Sequence, residues 1–173
     1  MPNSGVPEVQ SAVLFVGRHG QMVNSWTKGA VSIPIDVEGG QLGAGRTLPS
    51  FGVEPLSRHP DTGGAFLGQE LPRWNEARDL AIDASLATPN LRLICWEILL
   101  TVEGPRLLEG NLGFGLTMLQ VHTAGFMKDG TAERWRQGGA TLPDGSPYWG
   151  RPRLPGRAYR KVKRFGSRLG RLA

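Results

Sequence analysis

The chain has 173 residues, enough for one ordinary domain with a core, and its 25 Gly and 13 Pro mark it as loop-rich. A single cysteine, Cys95, excludes a disulfide framework and a cysteine-built metal site, and fits a cytoplasmic location. The net charge of +5 misleads, because residues 151–173 hold nine of the 20 Lys and Arg and no acid, leaving residues 1–150 with 11 basic and 15 acidic groups. An acidic body argues against nucleic acid as the main partner. No stretch approaches 18 apolar residues, so no transmembrane segment is expected. The run Ala12–Val16 is too short for a signal peptide and lacks a basic flank.

Residues 1–10 are polar, with two prolines, and read as a flexible N-terminus. Ser11 to Val16 is apolar enough for a strand, Gly17-Arg18-His19-Gly20 for a turn, and Gln21 to Trp26 for a returning strand. A further strand is expected over Val31 to Val37, with Pro34 at an edge or bulge, and Gln41 to Leu48 pairing back. Residues 49–72 form a Pro- and Gly-rich loop of the length that is usually functional or disordered. Within it, His59-Pro60-Asp61-Thr62-Gly63 suits either a substrate loop, with His59 or Asp61 meeting the ligand, or plain turn chemistry. Pro72 opens a helix whose body is Arg73 to Ala87, with Trp74, Ala77, Ala81 and Ala84 on one apolar face. A short helix from Leu116 to His122 and another from Thr131 to Gln137, anchored by Trp135, are expected further on. His19 and His122 have no metal-ligand spacing to a second His or Cys, and neither is given a role. Residues 138–173 read as a basic tail, either disordered or in contact with an anionic partner, with a basic helix near 157–169.

Between those helices the runs Trp96–Thr101 and Pro105–Asn111 flank Val102-Glu103-Gly104, the pattern of a β-hairpin with a three-residue loop. In that register Thr101 faces Pro105 and Glu97 faces Glu109, with Asn111 two residues on along the same sheet face. Two opposed carboxylates repel unless a cation lies between them, and Mg²⁺ takes oxygen ligands of this kind together with substrate phosphates. The same spacing also fits a solvated hairpin whose acids point at water. Strands, helix, hairpin and helix in this order give an α+β fold, an antiparallel sheet covered by helices on one side.

Four stretches in order resemble the C-terminal half of an ATP-grasp domain of the sugar-transfer-associated kind, a relative of the α-L-glutamate ligases. They are Val13–Gly20 through Ile33–Asp36, His59–Gly63, Gly68–Trp74, and Trp96–Ile98 through Leu108–Asn111. The resemblance covers roughly residues 11–127, within an expected partial domain over 11–137. It implies the ATP-grasp C-terminal lobe, ATP and Mg²⁺ as cofactors, and Glu97, Glu109 and Asn111 as the residues that bind both. It also implies a ligase that activates a carboxylate as an acyl phosphate for attack by an amine. The family tends to have Asp where Glu97 stands, Arg where Phe15 stands, Asp-Asn where Asn24-Ser25 stand, and a second Gly where Ala30 stands. The lysine-bearing N-terminal lobe has no counterpart in these residues. The expectations are therefore a truncated domain, inactive alone or completed by a separate chain, or else a non-catalytic interaction module on a relic ATP-grasp fold.

Overall fold

The computed structural model describes residues 6–48, 52, 54–112, 114–123, 125–126 and 128–137. The expected tail over 138–173, with its basic helix, lies outside the described residues. Residues 6–10 hold no helix or strand.

Strand β1 (Ala12–Val16) pairs antiparallel with β2 (Val31–Ile35), Ala12 opposite Ile35 and Val16 opposite Val31. The returning strand expected over Gln21 to Trp26 does not form. Met22 and Val23 point into solvent, and the Ser25 carbonyl accepts the N–H groups of Lys28 and Ala30. Those bonds close a 3₁₀ turn over Trp26–Lys28, which Gly29 ends at φ +88°. The chain therefore loops out after β1 and returns one segment later than the apolar pattern suggests.

Pro34 sits inside β2, opposite Val13. Its missing N–H falls on the side facing residues 41–46, where Ser32 and Asp36 donate to Arg46 and Gln41. On that side the pairing is reduced to isolated bridges, Ser32 with Arg46 and Ile35 with Leu42. The long Pro/Gly loop is tied down in the same manner by the bridges Gln41–Glu70, Gly45–Leu56 and Arg58–Ala65.

The core gathers on one face of β1–β2. Val31, Ile33, Ile35, Leu42, Phe66, Leu71 and Trp74 form it, with Ala12, Leu14, Val16 and Leu100 packed around. Trp74 belongs to helix α1 (Trp74–Leu86). Its ring lies over Gly40, where a Cβ would come 2.6 Å from the indole, and its Nε1 donates to the Val37 carbonyl at 3.2 Å. The opposite face of β2 is closed too. Ser32 there is fully buried, under the chain that carries α2 (Thr117–Gln120).

Strands β3 (Cys95–Thr101) and β4 (Gly104–Asn111) form a second two-stranded ladder, and α1 packs against both. The antiparallel sheet of the α+β fold is thus present as two ladders. Helix α3 runs from Thr131 to Gln137 as expected, its Trp135 buried and edge-on to Phe126 at 5.0 Å. Its first turn is capped by Asp129, whose carboxylate accepts the Thr131 N–H at 2.9 Å.

Candidate functional site

The β3–β4 hairpin brings together the three residues singled out for metal. Glu97 stands opposite Glu109, and the Asn111 amide nitrogen donates to both carboxylates, at 3.2 Å to Glu97 and 2.9 Å to Glu109. The route to that register differs from the expected one. The turn is a residue tighter, Val102-Glu103 alone, with Thr101 opposite Gly104 rather than Pro105. The Thr101 hydroxyl explains it: the oxygen accepts the Glu103 N–H at 3.2 Å and the hydroxyl donates to the Gly104 carbonyl at 2.7 Å. A bulge at Leu108, between the Glu97–Glu109 and Ile98–Leu107 pairs, then restores the offset.

The two faces of the hairpin have different duties. On one, Trp96 lies against Gly110 and donates its Nε1–H to the Ser85 hydroxyl of α1 at 2.8 Å. The other carries Glu97, Glu109 and Asn111, with Leu99 half exposed beside them. Cys95 is opposite Asn111 on this second face and is only partly buried. Burial first, and then the charge of Glu97, push its thiol up, so it stays protonated and offers no thiolate ligand.

The hairpin is aimed by an arginine. Arg73 precedes α1 in the left-handed conformation, φ +60°, the one described non-glycine residue at positive φ. Its guanidinium grips Glu76 through Nε and Nη2, both at 2.8 Å, and donates from Nη1 to the Val102 carbonyl at 3.2 Å. Gly104 is where the hairpin passes this group: a Cβ there would come 3.0 Å from Arg73 Nη2.

The donor set on the open face suits a hard divalent cation. It consists of two carboxylates and an amide, and a half-turn of the Asn111 amide would replace its nitrogen with its oxygen. The amide N–H groups now supply the positive end between the acids. Among the described residues no group of three His, Cys, Asp or Glu could hold a metal. A cation here would therefore draw on Asn111 and on oxygens from outside the chain. The extra methylene of Glu97 relative to Asp does not take it out of reach of Asn111.

His59 and Asp61, the expected substrate residues, meet elsewhere, in an open cleft of about 570 Å³ between residues 16–19 and 59–66. The His59 Nδ1 accepts the N–H groups of Asp61 and Thr62 at 3.2 and 3.3 Å, which leaves Nε2 as the protonated nitrogen, donating to the Gly17 carbonyl at 2.7 Å. Asp61 faces the Arg18 guanidinium side-on, its two oxygens accepting the Nε–H at 3.0 and 2.8 Å with Nη2 in ion-pair contact at 2.8 Å, and it also accepts the His19 N–H at 2.7 Å. Those bonds, Arg18's foremost, hold its carboxyl down at about 2. So the turn chemistry expected of this loop and its cleft position coexist.

Sequence reasoning missed two groups here. Arg18 stood in a plain turn motif, and its partner is 43 residues away. His122 received no role, yet its Nε2 lies 2.9 Å from the buried Ser32 hydroxyl. Burial and then the charge of Arg46 push its imidazole down to about 4, so it is neutral at pH 7. Ser32 also donates to the Met118 carbonyl at 3.3 Å, so the pair pins the α2 segment to β2. With Ser32 fully buried, the pair is a structural tie and offers no nucleophile to solvent.

The hairpin is an antiparallel ladder with two acids and an amide on its open face and helix α1 packed against it. The family model for sugar-transfer associated ATP-grasp matches residues 3–132. The chain belongs to that family. No curated protein and no solved structure matches it. No helix among the described residues is long and apolar enough to cross a membrane.

Proposed function

We propose that residues 11–137 supply part of an ATP and Mg²⁺ site in a ligase of the carboxylate–amine type, with Glu97, Glu109 and Asn111 holding the metal and, through it, the nucleotide. The observation that carries this reading is the convergence of both carboxylates on the Asn111 amide, on the hairpin face opposite the one from which Trp96 bonds to α1. Family membership supplies the rest of the support.

The residues divide the work in this reading. Glu97 and Glu109 present negative oxygens to a cation, and Asn111 turns its amide to add a third. Arg73 and the Trp96–Ser85 bond keep the hairpin fixed against α1, so the acids need no reorganisation when the cation arrives. The metal, when bound, neutralises phosphate charge and fixes in-line geometry. Cations that grip the phosphates directly come from a lobe outside these residues, on the same or a separate polypeptide.

Calorimetry of ATP binding with and without Mg²⁺ tests this. Metal-dependent binding that Glu109→Gln abolishes is expected. ATP binding that ignores both Mg²⁺ and the substitution overturns the assignment. Absence of binding up to millimolar ATP, in this chain and in one joined to a lysine-bearing lobe, favours the alternative of a non-catalytic interaction module.

A further inference from the structure

We propose that the cleft between Gly17–Gly20 and His59–Gly64 binds a small carboxylate-bearing ligand, with Arg18 making the contact and Asp61 and His59 acting as positioning residues. This deepens the ligase reading and rests on it for the ligand's being a substrate; the binding itself requires neither ATP nor metal.

The argument starts from which hydrogen-bonding groups are already used. Asp61 shares the Arg18 Nε–H between its two oxygens, stands 2.8 Å from Nη2 and accepts the His19 N–H, so both oxygens already face donors. The acceptor nitrogen of His59 is taken by two backbone N–H groups. What the wall still offers is donors. Asp61 occupies the Nε/Nη2 edge of Arg18, so the Nη1/Nη2 edge keeps a second pair of parallel N–H groups, with no partner among the described residues. Thr62 accepts the Gly64 N–H at 3.3 Å and keeps its hydroxyl proton for donation.

A second planar carboxylate fits that edge in the way Asp61 fits the first. The Arg18–Asp61 pair carries no net charge, which favours a monoanion over a dianionic phosphate. The rest of the ligand meets Val16, Ala65 and the buried ring of Phe66, so a short apolar chain suits the remaining space. His59 fixes the shape by joining its own turn to the Gly17 carbonyl. Asp61 stays ionised at any working pH, its carboxyl being held at about 2.

The test is a titration of the full chain, labelled with ¹⁵N, with butyrate and separately with inorganic phosphate, in the absence of ATP and Mg²⁺. Saturable shifts of the Arg18 Nε–H and of the His19 and Thr62 amides are expected with butyrate, below about 50 mM. Arg18→Lys keeps the charge and loses the second N–H pair, and should weaken butyrate about tenfold. Asp61→Asn should weaken it as well and move the Arg18 Nε–H resonance, while the amides of β3 and β4 stay in place. If Arg18→Lys does not fold, Asp61→Asn carries the same comparison. Glu109→Gln should leave butyrate binding unchanged, so failure of the nucleotide site and failure of this one are separable. Tighter binding of phosphate than of butyrate, no saturable shift with either, or undiminished butyrate binding in Arg18→Lys overturns the proposal.

Discussion

Gly110 is the position where one methyl group tests the whole support of the hairpin. It is opposite Trp96, and a Cβ built on it would stand 2.8 Å from Ile94 Cδ1 and 2.9 Å from Trp96 Cε3, with Cζ3 closer still. The indole has no easy retreat, because its Nε1 is bonded to Ser85 of α1 at 2.8 Å. Gly110→Ala must therefore shift strand β4 or push the ring off its hydrogen bond. Overpacking of this kind costs about 1–3 kcal/mol, and the broken bond adds about 1 kcal/mol. A loss of about 2–4 kcal/mol follows, a large share of what an ordinary domain has. Urea unfolding followed by tryptophan fluorescence reads it. Trp96→Leu in the Gly110→Ala background should recover part of the loss, because the clash goes with the ring. A Gly110→Ala protein within about 0.5 kcal/mol of the parent, or a double variant whose losses simply add, would refute the reasoning.

Three further predictions follow from the same geometry. Arg73 combines a strained backbone with a clamp, so Arg73→Ala keeps the strain and loses the clamp, whereas Arg73→Gly loses both; Ala should be the less stable by about 1 kcal/mol in urea melts, and equal stability refutes the strain. His122 is held neutral down to about 4 while the unfolded chain takes up its proton near 6.5. Stability should therefore be flat with respect to this group above 6.5 and fall as pH drops from 6.5 towards 4, by on the order of 1–2 kcal/mol once its partial exposure is discounted; His122→Gln should remove that slope, read by unfolding at stepped pH. Asp61 is depressed, so its link to Arg18 is present above the ordinary carboxylate range and lost as pH falls from 3.8 towards 2, seen as collapse of the Arg18 Nε–H resonance; Asp61→Asn should show no such acid transition.

Much of the fold is legible in local pattern. Pro72 followed by Trp74, Ala77, Ala81 and Ala84 marks α1, and Trp135 marks α3, because each helix buries a single stripe and periodicity reports it directly. The same reasoning misplaces the partner of β1. Gln21 to Trp26 contains Met22, Val23 and Trp26, but the first two are exposed, and only Trp26 turns inward, edge-on to Phe15 at 6.2 Å. Apolar content does not distinguish a strand from a loop that buries one ring. Phe15 makes that contact, so its ring serves packing. The Arg18–Asp61 and Ser32–His122 links are illegible for a simpler reason: each joins residues far apart in sequence, and no local spacing encodes them.

The candidate metal face shows a different relation between sequence and structure. A ladder running back regularly from Thr101 and Gly104 would set Glu97 against Leu108 and Glu109 against Trp96, and would send Glu109 to the side facing α1. The tighter turn alone would thus dismantle the acid pair. The bulge at Leu108 reverses that shift, and Leu108 pays no packing penalty for it, since its side chain is more than half exposed. Neither feature is visible in the hydrophobic pattern, because Leu107 and Leu108 are the same residue type and either could be the paired one. Their combined effect is visible, because the three-residue loop with a regular ladder that the sequence suggests pairs Glu97 with Glu109 just as the tighter turn and the bulge do together. The bulge is also the point from which Glu109, Gly110 and Asn111 are placed as a unit, Glu109 and Asn111 outward and Gly110 under Trp96. A glycine that admits the indole and a bulge that turns the acids outward are therefore two parts of one device, and the acid face depends on packing on the side opposite to it.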